Sequence, residues 1–361
     1  MALLELVLTC SFFLCMSIAL VSYLLHRRAS IDLKSKYVVL TGCDNKTGFG
    51  YLALQSLLAR GAHVIALCLT SDGIKQATAA GAKVAIQCDL TKQESIRAAA
   101  KHILETTKVD GLWGVVHNAG LVKGGCTFFQ PMSNYREVME VNFFGVVALN
   151  QLIMPAIQQA KGRVVLVSSV DGIVSLPGNA PYDASKFALE AFVDCLRIEA
   201  SYWGVKVAVV NPATMKTPLA LAYFDTVKQT WQKMDASDDT PDAYIDNNKD
   251  WKLEWNSEWL KSFTEEGAKN LESIAQDPMI TARDILHALE AKHPRHRYLS
   301  GTLAKTLFYF LWCMPESVSY AVKKKIMMTH PPSPFQRGVG KKTSPIVENK
   351  AAQEGHNAPA N

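Results

Sequence analysis

The sequence predicts an α/β protein with a doubly wound parallel sheet. Short, continuously apolar runs recur along most of the chain, and helical stretches with one apolar side separate them. Runs without polar alternation suit strands covered on both faces, and strand–helix alternation gives parallel pairing with right-handed crossovers. A third observation agrees: the first run passes through a glycine-rich turn straight into a helical stretch. With 361 residues, 48 % apolar and 20 % charged, the chain can bury a large core, so wholesale disorder is excluded.

The formal charge of +5 is small and dispersed, which argues against a nucleic-acid partner. Eight cysteines, at 10, 15, 43, 68, 88, 126, 195 and 313, show no C-x-x-C spacing. Neither a metal site nor a disulfide framework is expected, and reduced, mostly buried thiols are.

In chain order, the first element is an uncharged run from Leu6 to Leu25, followed by His26, Arg27 and Arg28. A helix of that length crosses the roughly 30 Å of bilayer hydrocarbon. The start carries Glu5 and no base, unlike a cleavable signal peptide. Residues 1–29 therefore read as an uncleaved single-pass membrane anchor, a buried helix being the alternative; the basic residues after it favour a cytoplasmic bulk. Strands are expected at Tyr37–Leu40, His63–Leu69, Lys83–Gln87, Leu112–Val116, Arg163–Val167 and Val205–Val210. Helices are expected from about Tyr51 to Arg60, Tyr135 to Gln159 and Tyr182 to Trp203, with residues 30–325 forming one domain.

Residues 222–265 break this rhythm and carry Trp231, Tyr244, Trp251, Trp255 and Trp259. So long an insertion beyond the carboxyl ends of the strands reads as a helical substrate lid; its alternative is an insertion whose aromatics only pack on the body. Thr306–Pro315 is apolar and aromatic but too short to span a bilayer, and suits an interfacial or a pocket-covering helix. Residues 326–361 read as a disordered tail.

The turn Thr41-Gly42-Cys43-Asp44-Asn45-Lys46-Thr47-Gly48-Phe49-Gly50 follows the first strand. Its glycines allow a tight turn, close approach of backbone amides to a pyrophosphate, and close helix–strand contact. The acid expected at the end of the second strand, for a ribose hydroxyl, is replaced by Cys68, with Asp72 four residues on and Lys46 in the loop. NAD is the expected cofactor, with NADP the alternative should Lys46 meet a 2′-phosphate. Asp89, closing the third strand, suits either an adenine contact or a helix cap.

Tyr182 and Lys186 stand at i and i+4 on one helix, with Ser169 just past a strand and Asn142 in the preceding long helix. Such a set can do acid/base chemistry on an alcohol. A phenol titrating near 10 needs a fall of roughly 2–3 units to act as a base at neutrality, and an ammonium about 4 Å away supplies on the order of 4 kcal/mol at an effective dielectric of about 20. Ser169 would hold the substrate oxygen and Asn142 a water linking Lys186 to solvent.

Taken together, the glycine turn, His117-Asn118-Ala119-Gly120, Val141-Asn142-Phe143-Phe144-Gly145, Lys161-Gly162-Arg163-Val164-Val165 and Ser185-Lys186-Phe187-Ala188-Leu189-Glu190 resemble the short-chain dehydrogenase/reductase family. Within it the chain is similar to the membrane-associated retinol, 17-beta-hydroxysteroid and 3-hydroxybutyrate dehydrogenases. The resemblance implies a Rossmann-type sheet of about seven strands and a homo-oligomer. It implies Asn142, Ser169, Tyr182 and Lys186 as catalytic. Gly42, Gly48, Gly50, Asp89, Asn118, Tyr182, Lys186 and Thr217 are then the cofactor contacts. The expected reaction passes a hydride between NAD(P) and a lipophilic alcohol or ketone such as a retinoid or steroid, at the endoplasmic reticulum before the mitochondrion. The alternatives are a 3-hydroxybutyrate dehydrogenase, with Lys123, Lys216 or His102 clamping the carboxylate, and a non-catalytic membrane-tethered dinucleotide-binding protein. Three departures stand out: Asn45-Lys46-Thr47 in place of one Ser, His117 in place of Asn, and Asn211-Pro212-Ala213 in place of Pro-Gly.

Overall fold

The computed structural model describes residues 2–27, 30–127, 130–233 and 257–327. The tail beyond 327 and the centre of the expected lid, with Tyr244, Trp251 and Trp255, lie outside the described residues.

Seven parallel strands form one sheet in the order β3-β2-β1-β4-β5-β6-β7. They are β1 (Tyr37–Thr41), β2 (His63–Cys68), β3 (Val84–Gln87), β4 (Gly114–His117), β5 (Arg163–Val167), β6 (Lys206–Pro212) and β7 (Arg297–Ser300). The order reverses between β1 and β4, where Val38–Leu40 pair with Gly114–Val116. A ligand crevice opens at the carboxyl ends of the strands at such a reversal. Val38, Val39, Leu40, Val115, Val116, Val164 and Val165 are fully buried, as the unbroken apolar runs require. The register of β5 on β6, Arg163 on Lys206 through Val167 on Val210, delivers Ser169 just past the edge.

One face of the sheet is covered by α2 (Phe49–Leu58) and a late helix, Met279–Glu290, whose Ile285 and Leu289 join Leu54 and Leu57 in the core. The other face is covered by α4 (Gln93–Thr106), by a long helical run and by α7 (Ala180–Ser201), through Ile103, Leu149, Ile153, Leu189 and Val193. Between these faces, α3 (Ser71–Ala79) links β2 to β3. The long run is α5 (Met132–Met139), a π-helical turn (Glu140–Phe144) and α6 (Gly145–Gln159). It starts earlier than the periodicity indicates and widens at Asn142. By length and composition it is also apolar enough to cross a membrane, yet 44 % of its apolar window is buried in the domain.

The N-terminal α1 (Ala2–Arg27) is a 26-residue helix, about 39 Å at 1.5 Å per residue. It is apolar over Thr9–Ser22 and exposes Phe12, Phe13, Leu14 and Ile18. After β6 come α8 (Pro218–Leu221), α9 (Tyr223–Lys233) and α10 (Ser257–Ile274), so the described flanks of the expected lid are helical. Trp231 and Trp259 fall in α9 and α10. The late helix on α2 is α11. The aromatic Thr306–Pro315 segment becomes a π turn (Ala304–Phe308) and α12 (Tyr309–Cys313), then α13 (Glu316–Met327). Phe308 and Leu311 face inward while Tyr309, Phe310 and Trp312 are exposed.

Candidate active site

The glycine turn lies at the head of the crevice. Gly42 has a φ of +72°, a left-handed conformation that costs glycine nothing, and its amide bonds the Leu67 carbonyl at 3.0 Å. A methyl group on Gly50 would lie 2.3 Å from the Gly42 carbonyl oxygen, so only glycine lets α2 approach the turn. The extra loop length changes none of this. Asn45 closes it locally: its side chain accepts from the Thr47 amide (3.1 Å) and hydroxyl (2.9 Å), its carbonyl from the Gly48 amide. Lys46 and Thr47 are exposed and outside the cavity wall, while Gly42, Asn45, Gly48 and Phe49 line it.

Asn118 ties β4 to this turn, donating to the carbonyls of Thr41 (2.9 Å) and Gly42 (3.2 Å). His117 beside it is buried, meets Asn150 at 3.4 Å and is pushed down to about 4 by burial, hence neutral. A loop carboxylate reaches the carboxyl end of β2. Asp44 accepts from the amides of Leu69 (3.0 Å) and Thr70 (2.8 Å) and from the Thr70 hydroxyl (2.8 Å), which sets its carboxylate at the carboxyl end of β2. The sequence reading looked to Asp72 instead, but Asp72 is exposed and paired with Lys75. Asp89 is spent locally on the Thr91 amide and hydroxyl and on Lys92, and does not line the cavity. Thr217 does line it, and caps α8 by accepting from the Ala220 amide. Ala213 packs with Val170 and Phe308 and leaves Thr217 in the wall.

From the glycine turn a cavity of about 750 Å³ runs past Asn118 to Ser169, Tyr182 and Lys186 and on between α8, α9 and α10. Ser169 caps the short helix Val170–Gly172, its hydroxyl accepting from the Asp171 amide at 3.1 Å, and it lines the same cavity as Tyr182. Lys186 is buried, donates to the Val167 carbonyl at 2.9 Å and lies 5.4 Å from the centre of the Tyr182 ring. Burial lowers its ammonium to about 8, with Glu190 and then Asp171 drawing it back up.

The expected depression of the phenol by that ammonium is not found. Burial pushes Tyr182 above its ordinary value, the Asp171 charge adds to the rise, and only the Ser169 hydrogen bond opposes it. The amine is held on the Val167 carbonyl, 5.4 Å from the ring centre. Asn142 also departs from expectation. Its side chain donates to the Leu121 carbonyl and the Ser185 hydroxyl (2.9 Å each) and accepts from the Leu121 amide at 2.8 Å, so its amide protons are both taken. Lys123 is paired with Glu137, Lys216 and His102 are exposed, and none of the three lines the cavity. Among the described residues no cluster could hold a metal ion, and Cys43, Cys68 and Cys88 are buried free thiols raised by burial.

A parallel sheet reversed at a glycine turn, with a buried Ser-Tyr-Lys set in the same crevice, defines a dinucleotide-dependent oxidoreductase. The cradle fits a nicotinamide dinucleotide: the turn a methyl group would fill, the free start of α2 and the Asp44 carboxylate lie along one wall. The family model described as short chain dehydrogenase matches residues 36–228. Human retinol dehydrogenase 16 is 35 % identical over 302 residues, covering 81 % of this chain and 90 % of that protein. The 17-beta-hydroxysteroid dehydrogenase type 6 of Bos taurus is 32 % identical over 299 residues, covering 81 % and 89 %. Among solved structures, a short-chain dehydrogenase from Streptomyces avermitilis matches with a TM-score of 0.58 at 22 % identity, covering 81 % of this chain and 95 % of that one. One from Burkholderia cenocepacia, in complex with NADP, matches with 0.58 at 20 %, covering 81 % and 99 %. The chain belongs to the short-chain dehydrogenase family, and is an NAD(P)-dependent oxidoreductase acting on alcohols and ketones.

Proposed function

We propose that the protein interconverts a lipophilic alcohol, retinoid or steroid in class, with its aldehyde or ketone, using NAD. The observation that carries this is the meeting of Ser169, Tyr182 and Lys186 in a cavity continuous with the glycine turn and walled beyond them by Val122, Met215, Leu219, Phe224 and Ile274. Tyr182 exchanges the proton with the substrate oxygen, Ser169 holds that oxygen, and Lys186 returns the proton toward solvent and faces the cofactor ribose. Asn142 completes the set by pinning the loop after β4 against α7. The bound nicotinamide supplies or takes the hydride. Gly42, Gly48, Asn118 and Thr217 line its path, and Gly50 lets α2 approach the turn behind them.

Asp44 supports NAD over NADP, because its carboxylate at the end of β2 would repel a 2′-phosphate. A 3-hydroxy acid suits the site less well: no cation but Lys186 lines the cavity among the described residues, and Asp171 in its wall repels a carboxylate. The intact Ser-Tyr-Lys set weighs against a purely binding role. An exposed apolar α1 long enough for a bilayer supports a single-pass anchor, for which the endoplasmic reticulum is proposed before the mitochondrion, and the family supports a homo-oligomer. The test is a turnover screen of retinoids, hydroxysteroids and 3-hydroxybutyrate with NAD and NADP on detergent-solubilised full-length protein. Turnover of 3-hydroxybutyrate alone, or of nothing, overturns the reading.

A further inference from the structure

We propose that Asp171 and Asn179 form an acceptor shelf in the cavity wall, which selects substrates carrying a second hydrogen-bond donor, a hydroxyl or an ammonium, close to the reacting carbinol. The proposal rests on the oxidoreductase reading of this cavity and narrows it: a lipid with a hydroxyl or amine beside the carbinol fits, whereas a plain retinoid, with one oxygen, leaves the shelf unanswered. Asp171 and Asn179 both line the cavity that holds Ser169, Tyr182 and Lys186. Asp171 is placed by its own amide, which donates to the Ser169 hydroxyl at 3.1 Å, so its carboxylate stands one side chain away from the group proposed to hold the substrate oxygen. Asn179, buried just before α7, donates to one Asp171 carboxylate oxygen at 3.3 Å. Two acceptors remain: Asp171 Oδ1 and Asn179 Oδ1 are both buried and both without a partner. Neighbouring donors are engaged elsewhere. Tyr223 donates its hydroxyl to the Gly178 carbonyl at 2.9 Å, and Lys186 its ammonium to the Val167 carbonyl at 2.9 Å. The Gly125 amide also donates to Gly178, at 2.9 Å, so the loop leading into Asn179 is held from two sides.

A buried acceptor without a donor is unfavourable, and a carboxylate more so than an amide. A ligand that brings a donor to this point relieves both oxygens. One that brings only a methylene there seals them in unpaired. Such a site discriminates by rejecting the analogue that lacks the donor, which apolar packing alone does weakly. The apolar part of the same wall, Val122, Leu219, Phe224 and Ile274, takes the body of the lipid.

The experiment measures binding by calorimetry on the full-length, detergent-solubilised protein in the presence of NAD. Three probes share one ten-carbon chain: the primary alcohol, the same alcohol with a hydroxyl on the neighbouring carbon, and the same alcohol with an amine there. The wild type is expected to bind the diol or the amino alcohol at least about ten-fold more tightly than the mono-alcohol. In Asp171→Ala and Asn179→Ala that preference should collapse towards unity while the mono-alcohol binds as well as before or better. A general loosening of the fold would not produce these opposite responses. Asp171→Asn separates the two sources: loss of an amino-alcohol preference assigns an ammonium, and survival of a diol preference assigns a hydroxyl. Equal wild-type affinity for the three probes, or binding of none, overturns the proposal even if the variants fail to fold. A preference unchanged in both alanine variants overturns it as well. Failure to oxidise any alcohol defeats the functional reading alone, while the binding comparison still decides the role of the shelf.

Discussion

Asn211 donates its side-chain amide to the main-chain carbonyl of Ser169 at 2.8 Å, from a fully buried position at the end of β6. Its other amide proton meets Glu190 at 2.6 Å and its carbonyl accepts from Arg297 at 2.8 Å, the two charges pairing at 2.8 Å. The residue just before Pro212 thus holds the backbone under Ser169. Asn211→Ala leaves buried polar groups without partners, so a loss of about 2 kcal/mol is expected. A urea unfolding midpoint checks it, and an unchanged midpoint would contradict this account of the network.

Tyr182→Phe removes one hydroxyl and leaves the ring packed. Turnover should fall by about 10²- to 10⁴-fold, the contribution of a placed acid/base group, with NADH affinity nearly unchanged. Stopped-time assays and cofactor fluorescence read the two quantities separately; activity near that of the wild type would remove Tyr182 from its assigned role.

Gly50→Ala puts a methyl group against the Gly42 carbonyl, which is backbone and cannot swing aside. The helix must back away, costing on the order of 1–3 kcal/mol and opening the pyrophosphate cradle. Weaker NADH binding together with a lower Tm is the expected pair of results. Calorimetry that found both intact would refute the close approach.

Asp44→Ala removes three hydrogen bonds and the charge at the end of β2. Affinity for NADH should fall while that for NADPH falls less or rises, narrowing the ratio between them. Titration of both dinucleotides measures it, and a ratio unmoved by the substitution would assign the discrimination elsewhere.

Stability should fall as pH rises from about 6.5 to 8. Asp183 holds its proton up to about 8 in the folded chain, whereas an unfolded aspartate loses it near 4. Between those values the folded state binds more protons, so stability falls as pH rises, by up to about 1.4 kcal/mol per pH unit for one proton. Lys186 deprotonates near 8 folded and near 10.4 unfolded and so opposes the fall above 8, where the raised thiols of Cys43, Cys68 and Cys88 act in the same direction as Asp183. His117, lowered to about 4, has the opposite slope to Asp183 below about 6.5, which leaves pH 6.5–8 as the window to read. Tm against pH for Asp183→Asn should be flatter there than for the wild type; parallel curves would exclude Asp183 as the source.

The five inner strands were legible because parallel strands covered on both faces must be apolar throughout, and the edge strand β3 still keeps Val84, Ala85 and Ile86 in a row. β7 was not: Arg297–Ser300 pairs only with β6, alternates in burial and carries an arginine turned to Asn211 and Glu190. Ser169, Tyr182 and Lys186 were legible from their spacing and the family pattern, and the fold brings them to one cavity. Asp44 was not read as the ribose-end acid because its partners, Leu69 and Thr70, are brought to it by a different strand. Asp171 and Asp183 stayed hidden for the same reason. Their chemistry comes from burial and from each other, and neither is written in local spacing.

Asn142 moors three remote segments to a single amide: the loop at Leu121 by both its backbone groups, the widened helix it sits on, and Ser185 between the two proposed proton handlers. None of the three can loosen by itself. Thermal breathing on this side of the crevice must then come as one concerted opening, so amide protons near 121, 142 and 185 are set to exchange with deuterium at a common rate.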